Sequence, residues 1–225
     1  MSSMFIVLEG LDGAGKSTQL RALETYFTQR DKKVQFMHFP RYDTPVYGEL
    51  IARFLRGDCG AIDTVDPYLV ALLFAGNRSE IAPQLKQWLD LGHVVLLDRY
   101  VYSNVAFQGA KLPTLEARTA LAQWIFETEY HYFKIPRPDL NLFLDVPLQF
   151  VAAKLGGTRQ GQDREYLQGK QDIHEASVDF QQKVRSVYLE QSRRDVTFRT
   201  VPCADANGNM ADWKTIFERI ITYIK

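Results

Sequence analysis

A glycine-rich pattern near the N-terminus contains the residue types that bind phosphate groups. The apolar run Met4–Leu8 is followed by G-x-x-x-x-G-K-S, which begins at Gly10 and ends with Lys16 and Ser17. Glycines let backbone N–H groups turn inward around an anion, and the N-terminus of the next helix adds a positive dipole end. Lys16 can reach the β- and γ-phosphates of ATP, and the Ser17 hydroxyl can coordinate Mg²⁺. We expect ATP to contact Gly10, Leu11, Asp12, Gly13, Ala14, Gly15, Lys16, Ser17 and Thr18.

Five short apolar runs predict the strands that position this loop. They alternate with helical patterns, and three of them are apolar at nearly every residue, as in parallel strands covered on both faces. The pattern predicts an α/β fold with a five-stranded parallel sheet and helices on both faces. The runs are Met4–Leu8, Val34–Phe39, Val94–Leu97, Leu140–Leu144 and Val196–Val201.

Length and composition indicate an ordinary globular protein. The 225 residues suit one domain over 1–225, with a short lid formed by the polar, glycine-rich region at about residues 154–172. Lys and Arg together number 27, as do Asp and Glu, so no overall basic charge indicates a nucleic-acid partner. Cys59 and Cys203 show no metal-binding spacing, and the apolar runs are too short to span a bilayer. Because residues 1–9 lack a signal-peptide pattern, we expect a cytoplasmic protein.

Several further segments carry a resemblance to a known family. They are Glu9–Gln19 (EGLDGAGKSTQ), Phe39–Tyr42 (FPRY), Leu73–Arg78 (LFAGNR), Asp98–Tyr100 (DRY), Ser103–Gly109 (SNVAFQG) and Asp172–Glu175 (DIHE). Together they resemble the thymidylate kinases, which are P-loop nucleoside monophosphate kinases, from about Met4 to the C-terminus. The resemblance implies transfer of the ATP γ-phosphoryl group to dTMP, with Mg²⁺, to form dTDP. A homodimer is a further expectation from the family.

The pair Phe74 and Arg78 is spaced i, i+4, which places both side chains on one face of a helix. The resemblance implies that Phe74 stacks on the thymine ring and that Arg78 donates a hydrogen bond to O4 of the base. Such a donor rejects cytosine, whose N4 is itself a donor. By the same resemblance Asn104 lies near thymine, and Gln108, four residues later, is expected to face the same pocket.

The sugar and phosphate of dTMP have their own candidate residues. The resemblance implies that Phe107 opposes a 2′-hydroxyl and that Asp12 lies near the 3′-hydroxyl. Arg41 and Tyr42 follow Phe39-Pro40 and are expected at the dTMP phosphate. The sequence leaves open which of these two side chains reaches it.

Phosphoryl transfer to an anionic phosphate oxygen needs charge neutralisation rather than a general base. Asp98 follows an apolar strand, the usual place for a carboxylate that acts on Mg²⁺, so we expect Asp98 and Ser17 at the metal. Arg99, whose guanidinium fork suits phosphate oxygens, is expected to bridge the two substrates' phosphates, next to Lys16.

A catalytic arginine is expected in the lid. Some thymidylate kinases carry this arginine in the P-loop, where this chain has Gly13. The resemblance therefore indicates the variant in which the lid supplies the charge, with Arg164 as the first candidate and Arg159 as the second. The family's adenine-stacking arginine falls near residue 155, which is Leu155 here, so the sequence leaves adenine selectivity open.

Two other functions fit a P-loop. A deoxynucleoside kinase phosphorylates a hydroxyl and needs a carboxylate base, typically in Glu-Arg-Ser after the third strand. The chain has Asp98-Arg99-Tyr100 there, which disfavours a deoxynucleoside kinase. A nucleotide-dependent switch would have no shaped acceptor pocket.

Overall fold

The computed structural model describes residues 3–155, 162–170, 172–175 and 177–224. Within them a five-stranded sheet has the order β2-β3-β1-β4-β5, and every neighbouring pair is parallel. The predicted fold class and all five predicted strands are confirmed, with shifts of one or two residues at several ends. The strands are β1 Met4–Gly10, β2 Val34–His38, β3 Val94–Asp98, β4 Leu140–Asp145 and β5 Phe198–Pro202.

Helices connect consecutive strands and cover both faces of the sheet. The α-helices are α1 Lys16–Thr28, α2 Tyr47–Leu55, α3 Pro67–Asp90, α4 Val101–Gly109, α5 Leu115–Phe126, α6 Leu148–Leu155, α7 Val178–Ser192 and α8 Trp213–Ile221. All nine residues of α4 are buried, so this helix packs within the core between α3, α5 and α7. A π-helix, Glu127–Tyr132, continues α5, and a 3₁₀ helix spans Gln162–Leu167.

Local sequence signals explain several helix starts. Asp66 accepts hydrogen bonds from the N–H groups of Tyr68 and Leu69, and Pro67 occupies the first turn of α3, where its missing N–H costs nothing. Thr114 and Ser177 cap α5 and α7 in the same way. Before α1, Gly15 has φ +82°, a left-handed conformation that side chains disfavour.

The contact between α2 and α3 depends on one glycine. A Cβ built on Gly76 would lie 2.3 Å from ring carbons of Tyr47, so only glycine allows this approach. Ile51, Phe54 and Leu55 of α2 pack with Val70 of α3 in a second, smaller apolar cluster. The separation of the two helices is therefore set by Gly76 and Tyr47.

Candidate active site

The carboxyl ends of parallel strands meet at one edge of a sheet, where α/β proteins bind ligands. A cavity of about 720 Å³ opens there. Most of the side chains predicted for the two nucleotides line it. They are Asp12, Gly13, Lys16, Ser17, Tyr42, Phe74, Arg78, Asp98, Arg99, Asn104, Phe107 and Gln108.

The remaining predicted residues lie elsewhere. Gly10, Leu11, Ala14, Gly15 and Thr18 belong to the P-loop or the first turn of α1 without lining the cavity walls. Arg41 is also outside the lining. Arg159 lies outside the described residues, and only the backbone of Arg164 is described, within the 3₁₀ helix Gln162–Leu167.

Lys16 lies folded over the P-loop. Its Nζ donates to the carbonyl oxygens of Leu11 at 3.2 Å and Gly10 at 3.5 Å, and lies 3.8 Å from Asp98 Oδ1. Burial and the nearby Arg99 lower the pKa of Lys16, while the surrounding carboxylates oppose that shift. The Lys16 ammonium group thus lies in the place that the triphosphate of ATP occupies in loops of this type.

Asp98 has the properties of a magnesium ligand. Burial raises its pKa, but Lys16 and His38 outweigh burial and bring the pKa to about 2, so the group is a carboxylate at neutral pH. Its Oδ1 is buried and accepts no hydrogen bond from the described residues. The Ser17 hydroxyl is exposed toward the same cavity. Two hard oxygen ligands with open positions fit Mg²⁺, which usually binds through few protein ligands and substrate phosphates.

Arg99 is held in an unusual backbone conformation. Its φ of +67° is uncommon for a residue with a side chain and typical of functional sites. The guanidinium donates to Asp12 at 2.8 Å and to Ser103 Oγ at 3.1 Å, and it lies 5.0 Å from the ring centre of Phe107. Asp12 and other anionic groups raise the pKa of Arg99 against the opposing effect of burial. Arg99 therefore carries its full charge into the cavity.

The sequence predicted no role for Glu9. This residue supports Arg99 through hydrogen bonds to the residues that follow it. Glu9 is fully buried at the end of β1 and accepts from the N–H groups of Tyr100 and Ser103 and from the Ser103 and Tyr188 hydroxyls. Burial raises its pKa, and these hydrogen bonds oppose the shift. The signal in the sequence that could have revealed Glu9 is a carboxylate near the end of an otherwise apolar strand. Glu9 fixes the start of α4 next to Arg99.

At the other end of the cavity Arg78 is almost fully buried against a second unpredicted acid. Its Nε and Nη2 donate to Glu129 at 2.5 and 2.6 Å. Asn104 Nδ2 donates to Glu129 at 3.1 Å and to the carbonyl of Ala71 at 2.9 Å. Phe74, on the same face of α3 as Arg78, is half-buried and lines the cavity. The base-binding candidates are thus brought together as predicted, but around a carboxylate that the sequence did not reveal.

One wall of the cavity is formed by residues at the end of the predicted lid and directly after it. Tyr166 stacks on Tyr42 with ring centres 3.8 Å apart, and its hydroxyl donates to Asp172 at 2.8 Å. His174 packs against Phe107, with ring centres 4.9 Å apart. Burial and the neighbouring Asp12 raise the pKa of Asp172 to about 7. The Asp172–Glu175 motif therefore lies at the cavity, as its inclusion in the resemblance suggested.

The two candidates for the acceptor phosphate have different surroundings. The Arg41 guanidinium is paired with Asp43, and Asn77 clamps the backbone of Arg41 through two hydrogen bonds of 2.8 Å. The Tyr42 ring lines the cavity. In this conformation the aromatic side chain, and not the arginine, faces the cavity.

A P-loop that opens a helix, a carboxylate at the end of β3 and an adjoining pocket with arginines at both ends belong together in one class. They define a P-loop nucleoside monophosphate kinase. Within the described residues, no helix combines the length and apolarity needed to cross a membrane.

The chain belongs to the thymidylate kinase family, whose model matches residues 8–209. Thymidylate kinase of Mycobacterium tuberculosis is 34% identical over 83% of this chain and 85% of its own. A probable thymidylate kinase of Thermococcus kodakarensis is 33% identical over 99% of this chain and 97% of its own. The solved thymidylate kinase of Candida albicans is 26% identical, with a TM-score of 0.70 over 99% of this chain and 89% of that one. The predicted family is confirmed, and the protein is an ATP:dTMP phosphotransferase that uses Mg²⁺.

Proposed function

We propose that the chain converts dTMP to dTDP with the predicted residues in the roles that their positions favour. The observation that carries this proposal is the shared cavity. Lys16, Asp98 and Arg99 line one end of it, and Phe74, Arg78 and Asn104 line the other. A nucleoside monophosphate placed between the two ends would direct its phosphate toward the P-loop.

The reaction moves one phosphoryl group between two phosphates. An oxygen of the dTMP phosphate forms the new P–O bond, the bond between the γ-phosphorus and the bridging oxygen breaks, and ADP leaves with that electron pair. Because the attacking oxygen is already anionic, no side chain has to remove a proton. Lys16 and Arg99 stabilise the charge that spreads over the transferred group.

The metal ligands in this proposal are Asp98 and Ser17. Asp98 Oδ1, which accepts no hydrogen bond from the described residues, and the exposed Ser17 hydroxyl lie at the same cavity. Bound Mg²⁺ would neutralise triphosphate charge, which is the chemistry that these two side chains cannot supply themselves.

The acceptor is held along its whole length. Phe74 stacks on thymine, Arg78 donates to O4, and Asn104 and Gln108 present their amides to the nucleoside. Phe107 opposes a 2′-hydroxyl, and Asp12 takes the 3′-hydroxyl. At the dTMP phosphate we favour Tyr42, which lines the cavity, over Arg41, which is paired with Asp43.

The lid completes the catalytic charges. P-loop residue Gly13 brings no side chain, so we assign the remaining cation to Arg164, with Arg159 as the second candidate. We expect Arg164→Ala to lower kcat by about 10²-fold or more with little change in the KM for dTMP. Arg159→Ala is the matched comparison in steady-state kinetics. An unchanged kcat for Arg164→Ala would remove it from the mechanism.

A coupled ADP-release assay across the common nucleoside monophosphates, with thymidine alongside, tests the function itself. We expect dTMP to give the highest kcat/KM and thymidine to give no turnover. Faster turnover of thymidine would indicate a deoxynucleoside kinase. Failure of every monophosphate to stimulate ATP turnover would indicate a nucleotide switch.

The remaining assignments concern the location, oligomeric state, domain organisation and partners of the enzyme. We propose a cytoplasmic homodimer, with residues 1–225 forming one domain with a lid at about residues 154–172 and with no nucleic-acid partner. The balanced charge of 27 basic and 27 acidic residues supports the last point. Sedimentation equilibrium would test the dimer, and a monomer at micromolar concentration would contradict it.

A further inference from the structure

Glu129 lies behind the base-binding end of the cavity and does not line it. Its carboxylate has no exposed surface, and it accepts three side-chain hydrogen bonds. Arg78 donates two of them and Asn104 donates the third. One buried acid therefore holds both of the residues that are proposed to read the base.

The contacts fix which atoms each residue offers to the cavity. Arg78 uses its Nε–H and one Nη2–H on Glu129, which leaves the second Nη2–H and the two Nη1–H groups for other contacts. Asn104 uses Nδ2 on Glu129 and on the Ala71 carbonyl. Its Oδ1 is buried and accepts no hydrogen bond from the described residues. Asn104 lines the cavity and both of its Nδ2–H groups are used, so Oδ1 is the amide atom that remains for a ligand, although it is not exposed in the free protein.

A remaining Arg78 N–H donor and the Asn104 Oδ1 acceptor match thymine and oppose cytosine. Thymine carries an acceptor at O4 and a donor at N3–H, whereas cytosine carries a donor at N4 and an acceptor at N3. We infer that Glu129 is a positioning residue for base selection, because it holds the Asn104 amide and the Arg78 guanidinium in the orientation that accepts thymine. The inference rests on the proposed function, in which Arg78 and Asn104 contact the base.

A carboxylate is needed because all three contacting groups are donors. Glutamine at this position would place its NH₂ group against an N–H of Arg78 or of Asn104. Rotation of the Asn104 amide by 180° would relieve a conflict with Asn104, at the cost of its hydrogen bond to the Ala71 carbonyl. The rotated amide would present Nδ2 to the pocket, where it suits N3 of cytosine.

Glu129 points inward from the π-helix, whereas the nearby Glu127 points to solvent. Glu127 and Glu129 are two residues apart in Glu127–Tyr132, yet the Glu127 side chain is 74% exposed and that of Glu129 is fully buried. The wider turn, marked by the bond from the Phe133 N–H to the Thr128 carbonyl, directs Glu129 toward α3 and α4. Such turns are frequent at functional sites.

The test compares Glu129→Gln with Glu127→Gln on dTMP and on 5-methyl-dCMP, which differ only at the base edge that is read. We expect Glu129→Gln to raise the KM for dTMP about 10- to 100-fold with a smaller effect on kcat. We also expect the ratio of kcat/KM for dTMP over 5-methyl-dCMP to fall at least 10-fold. Glu127→Gln should leave both unchanged.

Folding of the variants is checked separately, since Glu129→Gln leaves a buried arginine without its acid. Glu129→Asp keeps the charge but withdraws it by one methylene, and it should lower the same ratio with less loss of stability. In the unmodified enzyme, the Asn104 side-chain N–H groups should be protected from solvent exchange both without and with dTMP, as measured by NMR. Fast exchange in the free enzyme would overturn the inference.

The outcomes separate this inference from the proposed function. If the wild type prefers dTMP, and Arg78→Ala removes that preference while a folded Glu129→Gln or Glu129→Asp retains it, the role of Glu129 is wrong and the base site stands. If Arg78→Ala retains the preference as well, the base site itself is misassigned.

Discussion

The arginines at the two ends of the cavity have different kinds of partner. At the base end Arg78 is 2% exposed and is bonded twice to Glu129, a contact that can persist when a nucleotide binds. At the phosphate end Arg99 donates to Asp12, and Lys16 donates to carbonyls of its own loop. In the proposed function, those contacts are exchanged when phosphates bind. Recognition of the base is then preformed, whereas the charges for catalysis are assembled on binding.

The difference follows from what each end receives. A neutral base brings no charge to compensate a buried guanidinium, so the protein supplies a permanent carboxylate. Phosphates bring their own negative charge, so the acids at that end need only hold the cations until the substrates replace them. A kinase can thus pair its base-reading cation with a permanent acid and hold its phosphate-binding cations, which are also buried here, by contacts that the substrates replace.

The largest effect is expected for Arg99→Ala, which removes a cation from the phosphate end of the cavity. We expect kcat to fall about 10³-fold or more, because the lost interaction acts on charge in the transition state. The KM for dTMP should change much less. Steady-state kinetics check this, with the exposed α2 residue Arg53 changed to Ala as the control. A kcat within 10-fold of the wild type would place Arg99 outside the transfer step.

A smaller effect is expected at the preformed end. Asn104→Ala removes the proposed acceptor for N3–H, which contacts the base equally before and during transfer. The KM for dTMP should therefore rise about 10-fold while kcat stays within about threefold. Initial rates over a range of dTMP concentrations measure both. A fall in kcat without a rise in KM would mean that the base end takes part in assembling the catalytic geometry.

The smallest effect concerns stability and pH. The pKa of Asp172 is about 7 in the folded protein, compared with a usual value of 3.8. Between these values the folded state binds more protons than the unfolded state, so the contribution of Asp172 to stability is full below about pH 4 and is lost as pH rises through 7. Asp172→Asn should thus be more stable than wild type at pH 8, by on the order of 2 kcal/mol, with a smaller difference at pH 5.

Urea denaturation of the free protein at the two pH values measures this difference. Asp63→Asn, at an exposed position, is the control. Equal stability of wild type and Asp172→Asn at pH 8 would show that crowding of Asp172 and Asp12 costs the free enzyme nothing.

The sequence predicted the parts of the molecule whose signals are local. Apolar runs located all five strands, and the glycine spacing located the P-loop. The resemblance predicted Arg99, Phe74 and Arg78 as site residues, and all three line one cavity. Each of these depends on residues within a short stretch of chain, or on a motif long enough to be recognised as a whole.

The missed residues depend on distant partners. Glu129 is 51 residues from Arg78, and Glu9 contacts Tyr188, 179 residues away, so no local pattern shows what either acid contacts. The different surroundings of Arg41 and Tyr42 also follow from a tertiary contact, the clamp by Asn77. The role of the lid arginines stays a prediction, because the Arg164 side chain and Arg159 lie outside the described part of the chain.

Gly76 limits which substitutions the contact between α2 and α3 can accept. It does not line the cavity, yet an added methyl group would collide with Tyr47 and push α2 away from α3. The α2 carbonyl of Leu55 accepts the Ile173 N–H, so the displacement would reach the segment of Asp172 and His174 at the cavity wall. Substitution at position 76 is thus limited by the spacing of two helices. An engineer who wishes to widen the acceptor pocket could change its shape there without altering any polar group.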